Sequence, residues 1–168
     1  MKLGNAIKSA SAVFGVLVLG LATSANAATA VTTTFTVSAQ VNAICTISAG
    51  NLNFGTYTGV VNNNTSTITV QCSNTTPYNV GLNAGSAPSA TVTTRQMMVN
   101  GAGAGVLSYS LFSDSNRTKN WGQTIGTDTV TGTGSGAAQT LTVYGQIPAG
   151  TIPAPNAYSD TVTATITY

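Results

Sequence analysis

The sequence predicts an all-β domain, an antiparallel sandwich of immunoglobulin-like type, and three observations predict it. Apolar and polar residues alternate with a period of two in run after run, the mark of an extended chain with one buried face. Turn-forming Gly, Asn, Ser and Pro separate those runs. The sequence holds no Glu, little Lys and abundant Thr, Val, Gly and Asn, a composition that disfavours helices and suits strands and turns. A succession of short strands with turns between them argues for a sandwich.

The first residues stand outside that domain. Lys2 and Lys8 precede an apolar run from Ala12 to Ala22, and Ala25-Asn26-Ala27 is a small-residue cleavage site. Residues 1–27 therefore have the layout of a secretory signal peptide, with cleavage expected after Ala27. The 141 residues that remain suffice for one domain with its own core.

Alternation then runs from Val31 to Ile47, with Thr33 and Ile44 as its two departures. At about 3.3 Å per residue it would extend roughly 55 Å, against about 17–20 Å for an ordinary strand. Two strands in series are expected. Leu52 to Tyr57 predicts a short strand with Leu52 and Phe54 inward, and Asn62-Asn63-Asn64 a turn. Ile68, Val70 and Cys72 then face inward, followed by Tyr78, Val80 and Leu82 and a Gly/Ser/Pro loop. Arg95 to Val99 reads as a strand and Gly101 to Gly105 as a turn. Leu107, Tyr109 and Leu111 alternate with serines, and residues 113–139 form a polar loop region with Trp121 as its large anchor. Leu141 and Val143 resume the pattern. Residues 158–168 read as one strand, with Tyr158, Asp160, Val162, Ala164, Ile166 and Tyr168 on one face.

Charge and residue inventory exclude several functions. The net charge of +2 comes from Lys2 and Lys8. Arg95, Arg117 and Lys119 balance Asp114, Asp128 and Asp160 in the rest, so no basic surface for nucleic acid is expected. There is no His, no nucleophile elbow, and Gly101 to Gly105 lacks the lysine of a phosphate loop, so no enzyme, metal or cofactor is expected. Cys45 and Cys72, both in the exported part, are expected to form one disulfide. Sequons at Asn63, Asn64, Asn74 and Asn116 match a short pattern common in Asn/Thr-rich chains and stay unassigned. Trp121, Tyr57 and Tyr144 fit anchoring of core and loops better than stacking on sugars.

The ordered fragments resemble the spore coat U family, which includes the pilin subunits of archaic (Csu-type) chaperone–usher systems. They are Leu52-x-Phe54-Gly55-x-Tyr57, Ile68-x-Val70-x-Cys72, Arg95 with Met97-Met98, Leu107-x-Tyr109-x-Leu111, Trp121-Gly122, Val143-Tyr144-Gly145 and Tyr158-x-Asp160-Thr161-Val162. Residues 154–157 depart from the pattern where a glycine is common, which affects the turn. The resemblance implies an incomplete sandwich whose missing strand leaves an apolar groove. A periplasmic chaperone fills the groove first, and at the outer-membrane usher the N-terminal segment of the next subunit replaces it. On that basis residues 28–40 are the expected donor strand, with Val31, Thr33, Phe35, Val37 and Ala39 as plugs, Thr33 in the shallower pocket. Residues 41–168 are the expected pilin domain, with its first strand starting near Val41 or Asn42. Val162, Ala164, Ile166 and Tyr168 of the last strand would edge the groove. The implied role is a structural pilus subunit, exported through the periplasm to the cell surface and supporting attachment and biofilm formation. A secreted coat or matrix protein of the same family is the alternative.

Overall fold

The computed structural model describes residues 27–102 and 104–168. The signal peptide expected over residues 1–27 lies, but for Ala27, outside them. The chain falls into two units, Met1–Ala39 and Gln40–Tyr168. In the first, residues 27–39 form no strand and every side chain is exposed.

The second unit is an antiparallel β-sandwich. Its strands are β1 (Cys45–Ala49), β2 (Asn62–Cys72), β3 (Pro77–Leu82), β4 (Arg95–Val99), β5 (Val106–Phe112), β6 (Val130–Thr133), β7 (Gln139–Ile147), β8 (Tyr158–Ser159) and β9 (Ala164–Thr167). Six of them form one sheet in the order β1-β2-β7-β5-β4-β8, and three form the other in the order β6-β3-β9. Each paired strand runs antiparallel to its neighbour. Cys45 faces Cys72 across the β1–β2 ladder, and the two form a disulfide.

The sandwich has two distinct ends. At the proximal end lie the disulfide, the start of β3 and the end of β6, joined where Gly136 donates to the Cys72 carbonyl at 3.0 Å and Thr75 to Gly134 at 2.8 Å. At the distal end Asn62 opens β2 opposite Ile147, the last residue of β7. The turn at residues 59–61 and the segment 148–157 extend beyond that pair.

Side chains of both sheets meet in one core. Ile68, Val70 and Val143 come from the larger sheet, Tyr78, Val80 and Leu82 from the smaller, and Trp121 enters from the loop after β5, fully buried. Its indole N–H donates to the Val80 carbonyl at 2.8 Å, so the polar end of the ring is paired inside the core.

Several expectations are corrected by the structure. The first strand begins at Cys45 rather than near Val41 or Asn42. Asn62, Asn63 and Asn64 do not turn; they open the eleven-residue β2. Leu52 to Tyr57 is not a strand, and the same asparagines explain why. The side-chain amide of Asn62 donates to the Phe54 carbonyl at 2.8 Å, and that of Asn64 donates to the Asn53 carbonyl. Asn53 in turn accepts from the Gly55 N–H at 2.8 Å. Side chains thus supply partners that a ladder would have supplied. Finally, β6 lies within the stretch 113–139 expected to be loop.

Among the described residues Arg95 is the one charged residue that is fully buried, at 0% exposure. Its guanidinium donates only to backbone carbonyls: Nε to Asn83 at 2.9 Å, one terminal nitrogen to Val92 at 2.6 Å, the other to Leu82 at 3.0 Å and Trp121 at 2.7 Å. The Leu82 carbonyl ends β3, those of Asn83 and Val92 belong to the loop after it, and that of Trp121 to the loop after β5. The planar fork of donors ties the end of β3, the 83–94 loop and the Trp121 loop to β4. Arg95→Met would leave all four carbonyls without this donor and is expected to destabilise the domain by about 3 kcal/mol or more. Urea unfolding of the disulfide-intact protein measures this, and a loss below about 1 kcal/mol would contradict the assigned role.

Candidate functional site

A groove of about 900 Å³ opens between the two sheets. Its floor is core: Ile68, Leu82, Tyr109, Leu111, Val143 and Ile147. One lip is the strandless segment 49–57, the other the segment 152–162. Between the lips, core side chains of both sheets are left accessible, as in a sandwich with room for a filler between two edges.

The first lip is anchored from below. Leu52 and Phe54 lie over Gly145 of β7, where a Cβ would come within 2.7 Å of Leu52 Cδ1 and 2.8 Å of Phe54 Cζ. Glycine at 145 therefore lets the lip settle onto the sheet. Phe54 also leans edge-on against Tyr109, with ring centroids 6.4 Å apart. The Tyr57 hydroxyl donates to the Pro148 carbonyl at 2.8 Å, joining this lip to the end of β7.

The second lip is where the run expected as one strand over 158–168 divides. Tyr158 and Ser159 pair with β4 in the larger sheet, whereas Ala164 to Thr167 pair with β3 in the smaller. Between them the backbone is held by side chains. The Asp160 carboxylate accepts from the Tyr109 hydroxyl at 2.6 Å, the Ser86 N–H at 2.7 Å, the Ser86 hydroxyl at 2.7 Å and the Thr161 N–H at 2.7 Å. Thr163 donates to the Asn83 side-chain oxygen at 2.9 Å. Gly85, with φ +90°, stands so close to Asp160 that any side chain there would overlap the carboxylate.

This cluster sets the ionisation of its members. Burial opposes charge on Asp160, but the hydrogen bonds from Tyr109, Ser86 and Thr161 outweigh it and hold its carboxyl below the usual range. Burial, followed by the bond to Asp160, pushes the Tyr109 phenol up, so it remains a donor. Burial lowers Arg95, which still keeps its charge at neutral pH.

The expected site residues fall in different places. Val31, Phe35 and Val37 are 95%, 85% and 82% exposed, and Thr33 and Ala39 are exposed as well. Val162 and Ala164 line the groove and pack against the core. Val162 does so from the link between β8 and β9 rather than from a strand. Ile166 packs against the core without lining the groove, and Tyr168 is exposed beyond the end of β9. As the last strand of its sheet, β9 has a neighbour on one side only. Trp121 is wholly buried, Tyr57 is half-buried on its hydrogen bond, and half-buried Tyr144 lies 5.9 Å below the Arg117 guanidinium.

Sequence reasoning passed over Asp160 and Tyr109 as site residues. A signal was present: Asp160 is the single charged residue on the inward parity of the last run, and an inward carboxylate demands buried donors. Stability contributed by Asp160 is complete above about pH 4, the ordinary carboxylate value, and is lost as pH falls through its lower folded value. Acid unfolding of Asp160→Asn should accordingly show a shallower pH dependence below pH 4 than the parent protein. Parallel curves would overturn the assignment.

The Spore Coat Protein U domain model matches residues 31–165. Protein U of Myxococcus xanthus is 37% identical over 180 residues, spanning 98% of this chain and 99% of that protein. Among solved structures, a chain in the CsuC–CsuE chaperone–tip adhesion subunit pre-assembly complex, from archaic chaperone–usher Csu pili of Acinetobacter baumannii, is 28% identical with a TM-score of 0.56. The match covers 76% of this chain and 40% of that one.

Proposed function

Because the chain belongs to the spore coat protein U family, we propose that it is a structural subunit of a chaperone–usher pilus, polymerised by donation of residues 28–40 to the groove of a neighbouring copy. One juxtaposition carries this reading. An apolar groove beside the one-sided strand β9 coexists with an exposed segment whose alternating Val31, Phe35 and Val37 have no core of their own.

Strand addition satisfies both. Backbone N–H and C=O groups of the donor pair with the open edge, and alternate side chains enter the groove. Burying Val31, Phe35 and Val37 contributes on the order of 1.5–3 kcal/mol each before the cost of ordering the segment. Thr33 and Ala39 fill shallower positions. Since the groove and the donor are different surfaces of one molecule, the contact repeats head to tail and builds a filament rather than a closed ring.

A periplasmic chaperone occupies the groove before assembly, and an outer-membrane usher exchanges it for the next subunit's donor. The signal-peptide layout of residues 1–27 delivers the chain to that route, and the filament supports surface attachment and biofilm formation. The near full-length similarity to Protein U favours a second reading, a secreted coat or matrix protein that uses the same exchange. Recovery of the polymer in a coat fraction rather than as surface filaments would select it.

Deleting residues 28–40 should leave a subunit that binds chaperone but forms no filament; normal filaments by electron microscopy would sink strand donation. Phe35→Asp places an unpaired charge in an apolar channel and should cut polymer yield at least about tenfold. Unchanged yield would remove Phe35 from the plugs.

A further inference from the structure

The surface of the second unit is polar, yet a few large apolar side chains stand exposed at its two ends. At the distal end Val60, Val61 and Ile152 are 63%, 51% and 61% exposed. They gather where Gly150 donates to the Gly59 carbonyl at 3.1 Å, and Ile152 Cγ1 lies 3.1 Å from where a Gly59 Cβ would be. At the proximal end Val41 and Ile44 are 90% and 64% exposed. Ile44 is not loose. Its N–H donates to the Ser73 hydroxyl at 3.1 Å and its carbonyl accepts from the Ser73 N–H at 2.9 Å, which fixes its backbone at the mouth of β1.

Resting on the strand-donation reading above, we infer that these two apolar patches are halves of one contact: Val41 and Ile44 of each subunit pack against Val60, Val61 and Ile152 of the copy whose groove its donor strand fills. The occupant of the distal patch is thus a second copy of this chain.

Strand direction and tether length bring the patches together. β9 runs from Ala164, opposite Leu82, to Thr167, opposite Asn79, and so heads toward the proximal end where β3 begins. A strand added antiparallel to it, like each ladder already present, enters at the proximal end and leaves at the distal end. From the end of the donor at Gln40 to Cys45, the first residue of β1, only Val41 to Ile44 intervene. Four residues span at most about 14 Å. The proximal end of one subunit is therefore held against the distal end of the one before it. Water-exposed apolar side chains on both facing ends gain by covering each other. Few charges oppose the approach: Arg95, Arg117, Lys119, Asp114, Asp128 and Asp160 are the only charged residues after Lys8.

The test uses the full exported chain carrying Val41→Cys and Val60→Cys, assembled and mildly oxidised. Filaments that yield a ladder of covalent multimers in reductant-free, heat-denatured electrophoresis, absent in either single variant, are the expected result. Filaments that dissociate wholly to monomers would overturn the contact while leaving strand donation intact. If instead deletion of residues 28–40 leaves filaments normal, strand donation fails and this contact falls with it. As an independent readout, Val60→Ser with Val61→Ser, both outside the groove lining, should leave subunit yield and filament formation unchanged and at least halve filament persistence length. Unaltered stiffness would count against the contact even in the presence of cross-links.

Discussion

The carboxylate of Asp160 is where the two sheets part. A run with uninterrupted period-two alternation would stay in one sheet if ladder hydrogen bonds alone decided its path. Asp160 instead collects donors from the loop after β3, from β5 and from its own successor, four hydrogen bonds around one side chain. The backbone of residues 160–163 follows the side chain rather than a neighbouring strand, and the chain crosses from the larger sheet to the smaller. The groove and its second lip exist because of that crossing. Without it, residues 158–168 would continue alongside β4 and β3 would keep only β6 as a partner.

Arg95 does for the loops what Asp160 does for the last run. Three of its four carbonyl partners lie in loops and the fourth, Leu82, is the last residue of β3, and burying a guanidinium is tolerable only because every one of those bonds is made. The two charged groups also stand near one another in the chain of contacts: Tyr109 faces Arg95 across the β4–β5 ladder and donates to Asp160. Arg95 is thus buried and Asp160 half-buried at the junction of the sheets, while Asp114, Arg117, Lys119 and Asp128 remain half-buried or exposed.

Much of this architecture was legible in the sequence because period-two alternation reports burial directly. Ile68, Val70, Tyr78, Val80, Leu82, Tyr109, Leu111 and Val143 are core in both, and Arg95–Val99 has the expected limits. What was not legible follows from side chains acting as backbone partners. Asn62 and Asn64 have turn propensity but stand in a strand, because their amides are committed to the carbonyls of residues 53 and 54. Leu52 and Phe54 alternate as a strand would, yet are held by those amides instead of a ladder. The floor of the groove was legible as the inward residues Ile68, Leu82, Tyr109, Leu111 and Val143 of the alternating runs. The groove's second lip left one trace, the charged Asp160 on the otherwise apolar parity, at the point where the hydrogen bonding changes hands.

The position of the Cys45–Cys72 disulfide has a mechanical consequence. Cys45 is the first residue of β1, so any pull transmitted along the segment before it arrives at that residue first. Peeling β1 from β2 one hydrogen-bonded pair at a time, which would need little force, is blocked at the leading pair by a covalent bond. The load passes instead into β2, whose long ladder with β7 lies across the middle of the larger sheet and must shear as a whole to yield. In a linear polymer under flow, each subunit would therefore resist stretching as a unit, and extension would come from the joints between subunits before it came from their interiors.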